Sequence, residues 1–157
     1  MQADPTQAEH FMSAYLDTAI EAAKAARAPI LAHYHGDFDI EIKPDQTPVT
    51  VADREAELAI RAVLSEAYPD HGIYGEEFGK DQPDADYLWL VDPIDGTKSF
   101  VKGTGMFSTQ IALMHNGEII LGVSCAPAMD ELAWAARGEG AWLNGQRLSI
   151  SVMEHID

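Results

Sequence analysis

Two helical patterns and then a series of strands emerge from the order of hydrophobic and polar positions. Over residues 6 to about 34, Phe11, Tyr15, Leu16, Ala19, Ile20 and Ala23 recur at intervals of three and four. Glu21, Lys24 and Arg27 fall on other faces, so the period is that of an amphipathic helix. Pro29 should kink or interrupt it, because proline lacks a donor and crowds the preceding turn. Ala22, Ala23, Ala25, Ala26 and Ala28 allow close packing on a sheet or a second helix. Residues 43–53 read as a loop closed by a helix start, since Thr50 and Asp53 stand at capping-box spacing with Asp in place of the usual Glu. The second helix runs to about Tyr68, burying Ala52, Ala56, Ala59, Ile60, Val63 and Ala67, until Pro69-Asp70 ends it.

Residues 87–91 form an unbroken apolar run rich in strand formers, and Pro93 cannot donate to a ladder, so this strand should stop at Asp92. Strand-like segments come next at 107–115, 118–126, 131–136, 140–143 and 147–151. Asn116-Gly117 and Asn144-Gly145 are type I′ hairpin signals, which makes the sheet largely antiparallel. The class is therefore α+β, with two long helices packed on one face of that sheet. Cys125, Trp134 and Trp142 read as packing residues, and His33 and His35 as helix C-terminal residues favoured by the dipole.

At 157 residues, 46% hydrophobic and 23% charged, the chain suits one globular domain. A single cysteine, Cys125, cannot form an internal disulfide, and neither a signal peptide nor an apolar membrane span of roughly 18 residues is apparent. The expected setting is the cytoplasm. Ten Lys plus Arg against 26 Asp plus Glu give a net charge of −16, which should repel nucleic acid and anionic membranes. An anionic substrate would also be repelled unless divalent cations neutralise the site, although acidic surfaces also serve solubility alone.

The candidate chemistry lies where the apolar run ends, in Val91-Asp92-Pro93-Ile94-Asp95-Gly96-Thr97. Pro93 fixes φ, Gly96 permits close backbone approach, and Thr97 can cap the next element. Such a turn can aim the Asp92 and Asp95 carboxylates, the Ile94 carbonyl and the Thr97 hydroxyl at one point. These are hard oxygen ligands suited to Mg²⁺, Mn²⁺ or Ca²⁺. The same residues would also make a plain Asx turn. A short helix starting at Gly96-Thr97 would add amides able to seat a phosphate. Glu76 and Glu77 lie between Gly75 and Gly79, and in a strand only one of two neighbours faces a given metal. Ser99 and Ser108 lack convincing His and acid partners for a nucleophile.

Asp92-Pro93-Ile94-Asp95-Gly96-Thr97, followed by Phe100, resembles the signature of the inositol monophosphatase family, the Mg²⁺-dependent, lithium-sensitive sugar-phosphate phosphatases. Lys98-Ser99 is more similar to the histidinol-phosphatase branch. The resemblance also takes in Lys43, Pro48-Val49-Thr50, Ala52-Asp53 and Gly75-Glu76-Glu77, and reaches from the first helix to Ser151. It implies the N-terminal metal-binding domain, residues 1–157, of a layered αβαβα fold. It implies two or more Mg²⁺, or Mn²⁺, held by Glu76, Asp92, the Ile94 carbonyl and Asp95. Asp53 and Thr97 would orient the attacking water, with Glu76 also in the catalytic set. Gly96 and Thr97 would hold the phosphate, with Glu77 and Lys43 in support. The implied substrate is a small phosphorylated metabolite, histidinol phosphate or inositol monophosphate, and the implied assembly a homodimer.

One departure stands against that pattern. Family members continue into a second domain with a Trp-Asp-x-Ala-Ala-like motif, which this sequence lacks, and the apolar residues 152–156 suggest a cut through structure. A truncated chain, inactive alone and prone to self-association through an open sheet face, is one expectation. A non-catalytic binding or regulatory module that keeps the fold is the other.

Overall fold

The structure is a computed structural model and describes residues 5–35, 39–44 and 48–151, with side chains over 12–35, 39–44 and 50–151. Helix α1 (Pro5–His33) runs continuously through Pro29, so the expected interruption does not occur. A proline inside a helix removes one backbone bond and crowds the turn before it. Here Ala26 and Ile30, on either side of Pro29, are fully buried, and their packing holds the helix together. The buried stripe of α1 is Leu16, Ala19, Ala22, Ala23, Ala26 and Ile30. Its small residues let α2 (Val51–Ala67) lie close alongside.

Thr50 caps α2 in a full capping box: the Asp53 N–H donates to the Thr50 hydroxyl oxygen, and the Thr50 N–H donates back to the Asp53 carboxylate. Such a cap stabilises a helix by about 1 kcal/mol. The core face of α2 is Ala52, Ala56, Ile60 and Leu64, with Asp53 and Glu57 buried beside them. Ala67 is exposed and Ala59 and Val63 only half-buried, because the stripe drifts around the helix in its last turns. Burial of Ile60 or Leu64 contributes roughly 1.5–3 kcal/mol each.

Among the described residues one sheet has eight strands in the order β10-β9-β8-β7-β6-β5-β3-β4. These are β3 (Gly72–Gly75), β4 (Gly79–Asp81), β5 (Tyr87–Asp95), β6 (Ser108–His115), β7 (Glu118–Ala126), β8 (Glu131–Ala136), β9 (Gly140–Leu143) and β10 (Gln146–Arg147). All neighbours are antiparallel except β3 and β5. Asn116 and Asn144, at φ 51° and 47°, take the left-handed conformation that the two Asn-Gly hairpins require. The last strand is shorter than expected: it ends at Arg147, and beyond it the Leu148 N–H still donates to the Ala141 carbonyl at 2.8 Å. Residues 43–53 are not a simple loop either, because β2 (Pro48–Thr50) pairs with β1 (Ile40–Ile42) as a separate hairpin; 45–47 and 152–157 lie outside the described residues.

The sheet alternates with period two. Trp89, Val91, Ile111, Leu113, Leu121, Val123 and Cys125 are buried, where α1 packs on β6 and β7 and α2 on β5. Leu90, Asp92, Gln110, Ala112 and Ser124 belong to the opposite face and are only half-buried. That face opens on a cavity of about 710 Å³ with Trp134 and Trp142 in its wall and Glu76 and Asp92 among its lining. The two indoles stack at 5.4 Å across β8 and β9.

Candidate metal and phosphate site

Strand β5 does not stop at Asp92. It continues through Pro93 to Asp95 as a bulge: Asp92 pairs with Gln110 and Asp95 with Ser108, so Pro93 and Ile94 oppose Thr109 alone. A proline without a donor is tolerated in a sheet at such a bulge. The buried Thr109 hydroxyl donates to the Pro93 carbonyl at 2.9 Å and ties the bulge down. The extra residue shifts the alternation. Asp92 belongs to the open face, whereas Ile94, two residues on, is buried to 1% exposure.

Beyond the bulge, α3 (Thr97–Val101) starts from Gly96. Gly96 sits at φ 91°, and a Cβ there would stand 2.8 Å from the Met106 carbonyl oxygen, so the position demands glycine. Gly96, not Thr97, is the cap residue, and no side chain caps this helix. The Thr97 hydroxyl instead donates to the Ile94 carbonyl at 3.0 Å. The first amides of α3 are those that a helix leaves without intrahelical acceptors.

Glu76 and Glu77 occupy the turn between β3 and β4, not a strand, so the alternation rule that would separate them does not apply. Lys43, at the end of β1, reaches both: its Nζ donates to Glu76 at 3.0 Å and to Glu77 at 2.6 Å. Burial opposes the charge on Lys43, but the bonds to Glu77 and Glu76 outweigh it and push its pKa up to about 12. Glu77 is nearly enclosed, and burial raises its carboxyl despite Lys43. Glu76 is half-exposed, and its N–H donates to the Val91 carbonyl at 3.1 Å, which seats it beside Asp92.

Asp92 and Glu76 bring their carboxyls within hydrogen-bonding range of each other. Burial above all, then Glu76, then the charges of Asp95 and Asp53 push Asp92 up to about 8. Its Oδ1 is buried and has no hydrogen-bond partner among the described residues. Asp53 on α2 stands at the same site. Burial raises its carboxyl against the Thr50 bonds, which both fall on Oδ2, at 2.9 Å from the amide and 2.6 Å from the hydroxyl. Asp53 is therefore a cap residue as well as a site candidate.

Among the described residues no three His, Cys, Asp or Glu side chains stand gathered around one point. Asp95 is exposed and Glu76 is engaged by Lys43. The donor chemistry nevertheless fits a hard cation. An orphaned buried carboxylate oxygen, a second carboxyl against it and a backbone carbonyl nearby form an all-oxygen set whose mutual repulsion a divalent ion would relieve. Sequence reasoning missed Glu57, whose buried carboxylate receives the amides of the Glu76 turn; its four-residue step from Asp53 along α2 was the available signal.

Residues 12–157 match the model of the inositol monophosphatase family. The chain belongs to that family. A histidinol-phosphatase of Chlorobaculum parvum is 40% identical over 144 residues, covering 90% of this chain and 55% of that protein. A histidinol-phosphatase of Mycobacterium tuberculosis is 45% identical over 125 residues, covering 76% of this chain and 48% of that protein. The solved structure of an IMPase from Thermotoga maritima superposes with a TM-score of 0.82 at 37% identity, over 88% of this chain and 54% of that one. The chain thus spans about half the length of the curated relatives it matches. Its α+β architecture is that of the family, and among the described residues no helix is long and apolar enough to cross a membrane.

Proposed function

We propose that residues 1–157 form the metal-binding domain of a divalent-cation-dependent phosphomonoesterase acting on histidinol phosphate or inositol monophosphate. The observation that carries this reading is Asp92, whose buried Oδ1 lacks a donor while its carboxyl meets that of Glu76. Glu76, Asp92, Asp95 and the Ile94 carbonyl would hold the cation, Mg²⁺ or Mn²⁺, in two or more copies. When bound, it supplies charge to offset the phosphate and lowers the pKa of water.

The residues of the chain do the rest. Thr97 donates its proton to Ile94, so its oxygen lone pairs are available to orient a water. Asp53 keeps Oδ1 outside the capping box, and that oxygen takes up the proton of the same water. The amides of Gly96 and Thr97 donate to the phosphate oxygens. Lys43 and Glu77 support Glu76 through their ion pair. Water oxygen bonds to phosphorus, the ester P–O bond breaks, and the alcohol leaves with the proton that water gives up.

The likeness to two histidinol-phosphatases and the Lys98-Ser99 pair favour histidinol phosphate. A homodimer in the cytoplasm accompanies this reading. Residues 1–157 alone are expected to bind the cation with little turnover. Isothermal titration with Mg²⁺ and Mn²⁺ tests it, together with phosphate release from histidinol phosphate, inositol monophosphate and an aryl phosphate with Mg²⁺ or EDTA. Wild-type binding that Asp92→Asn removes is expected; no binding, or binding unchanged in that variant, refutes the reading. A second reading, a non-catalytic module that keeps the fold, draws on Lys43 already holding Glu76.

A further inference from the structure

Helix α2 carries Asp53, Glu57 and Arg61 at four-residue steps, a single row along one face. Asp53 reaches the site itself. Glu57 is fully buried, and its bonds lead to the turn that bears Glu76. The Glu77 N–H donates to Glu57 Oε2 at 2.6 Å, and the Phe78 N–H donates to Oε1 at 3.2 Å. Arg61 Nε donates to the same Oε1 at 2.8 Å, while its Nη2 donates to the Gly79 carbonyl at 2.5 Å. A Cβ built on Gly75 would overlap the Glu57 carboxylate, so glycine precedes Glu76 to leave room for it.

A turn at the protein surface can give its amides to water at little cost. Burying a charge to receive two of them is costly unless it is fully bonded. Glu57 meets that condition, with two successive amides and a guanidinium converging on it, an arrangement that suits an anion. The turn is thereby fixed from below by α2 and from the side by the Glu76 N–H on Val91. Nothing in the packing of the helix requires a carboxylate here, since Ala56, Ile60 and Leu64 already supply its apolar contact.

We infer that Glu57, braced by Arg61, is the positioning residue that sets Glu76 relative to Asp53 and Asp92. It touches neither substrate nor cation and acts through the turn. The inference rests on the metal-binding reading above. Groups behind a metal ligand typically change affinity by about 10–100-fold when removed.

The test is titration of the full chain with Mn²⁺, well below each variant's melting temperature. Glu57→Gln retains the volume but puts an amide where two N–H groups and a guanidinium need acceptors; it is expected to weaken Mn²⁺ about 10–100-fold. Leu64→Ala, which loosens the same helix without touching these bonds, should bind as the wild type does. Wild-type affinity in folded Glu57→Gln, or an equal loss in Leu64→Ala, overturns the inference. Should Glu57→Gln not fold, Arg61→Met takes its place: several-fold weaker binding supports the inference and wild-type affinity overturns it. Binding lost in Asp92→Asn but kept in Glu57→Gln defeats the positioning role alone. No binding in the wild type, or none of it lost in Asp92→Asn, defeats the metal reading and this inference with it.

Discussion

The Thr109 hydroxyl donates to the Pro93 carbonyl across the bulge that turns β5 from the sheet into the site. Both residues are buried, so the bond has no water to replace it. Thr109→Val keeps the shape and leaves the Pro93 carbonyl short of a donor, which costs about 1–3 kcal/mol. Urea unfolding should show that loss. Thr109→Ser, which restores the hydroxyl, should recover most of it, and equal stability of the Val and Ser variants would deny the bond its role.

Asp92 against Glu76 is an electrostatic liability in the metal-free chain. Asp92→Asn removes a buried like charge and supplies a donor. In EDTA above pH 8 its melting temperature should therefore rise by about 2–4 °C per kcal/mol gained. Mg²⁺ should raise the wild-type melting temperature and leave the variant unmoved. A metal-free variant that melts below the wild type would contradict the repulsion.

His71 offers a separate test, since it belongs to neither the proposed cation set nor the phosphate seat. The Trp89 indole N–H donates to its Nδ1 at 3.2 Å, so the ring accepts there and is neutral in the native state. Tyr68 and Tyr87 stack on either side at 4.6 and 4.8 Å. Burial lowers its pKa, with Asp70 pulling the other way. A folded value below the unfolded one, about 6.5, means that the unfolded chain takes up the proton first. The contribution of His71 is thus present above about pH 6.5 and lost as the pH falls toward the folded value. His71→Phe should cost about 1 kcal/mol at pH 7.5, through the orphaned indole, and less at pH 5. Parallel stability curves for the two proteins would refute this.

Thr97→Val leaves the bulge and Gly96 intact but removes the hydroxyl on Ile94. In a form of the protein that turns over a phosphate ester, kcat should fall by roughly tenfold or more with less change in Mg²⁺ affinity. Unchanged turnover would make Thr97 a purely structural residue.

Much of this architecture was legible because local signals agreed. The Thr50–Asp53 box, the three-and-four spacing of α1 and the two Asn-Gly turns each state a backbone conformation directly. Pro93 misled because its missing donor reads as a strand end, whereas a bulge absorbs it with help from Thr109, a partner sixteen residues away. Pro29 misled in the same way, since tertiary packing of Ala26 and Ile30 overrode propensity. The site was legible as a residue set but not as an arrangement. Nothing in the order of Glu76 and Glu77 says that Lys43 will reach both, and the four-residue step from Asp53 to Glu57 marks a shared helix face without saying which turn Glu57 serves.

The stacked indoles of Trp134 and Trp142 lie face to face in the wall of the open cavity, 5.4 Å apart and 14° from parallel. Two identical chromophores at that separation share their excited states, so the chain should carry an exciton couplet in its circular dichroism. Whatever comes to rest on that face would alter the sign or strength of the couplet, which makes the sheet its own optical reporter of being covered.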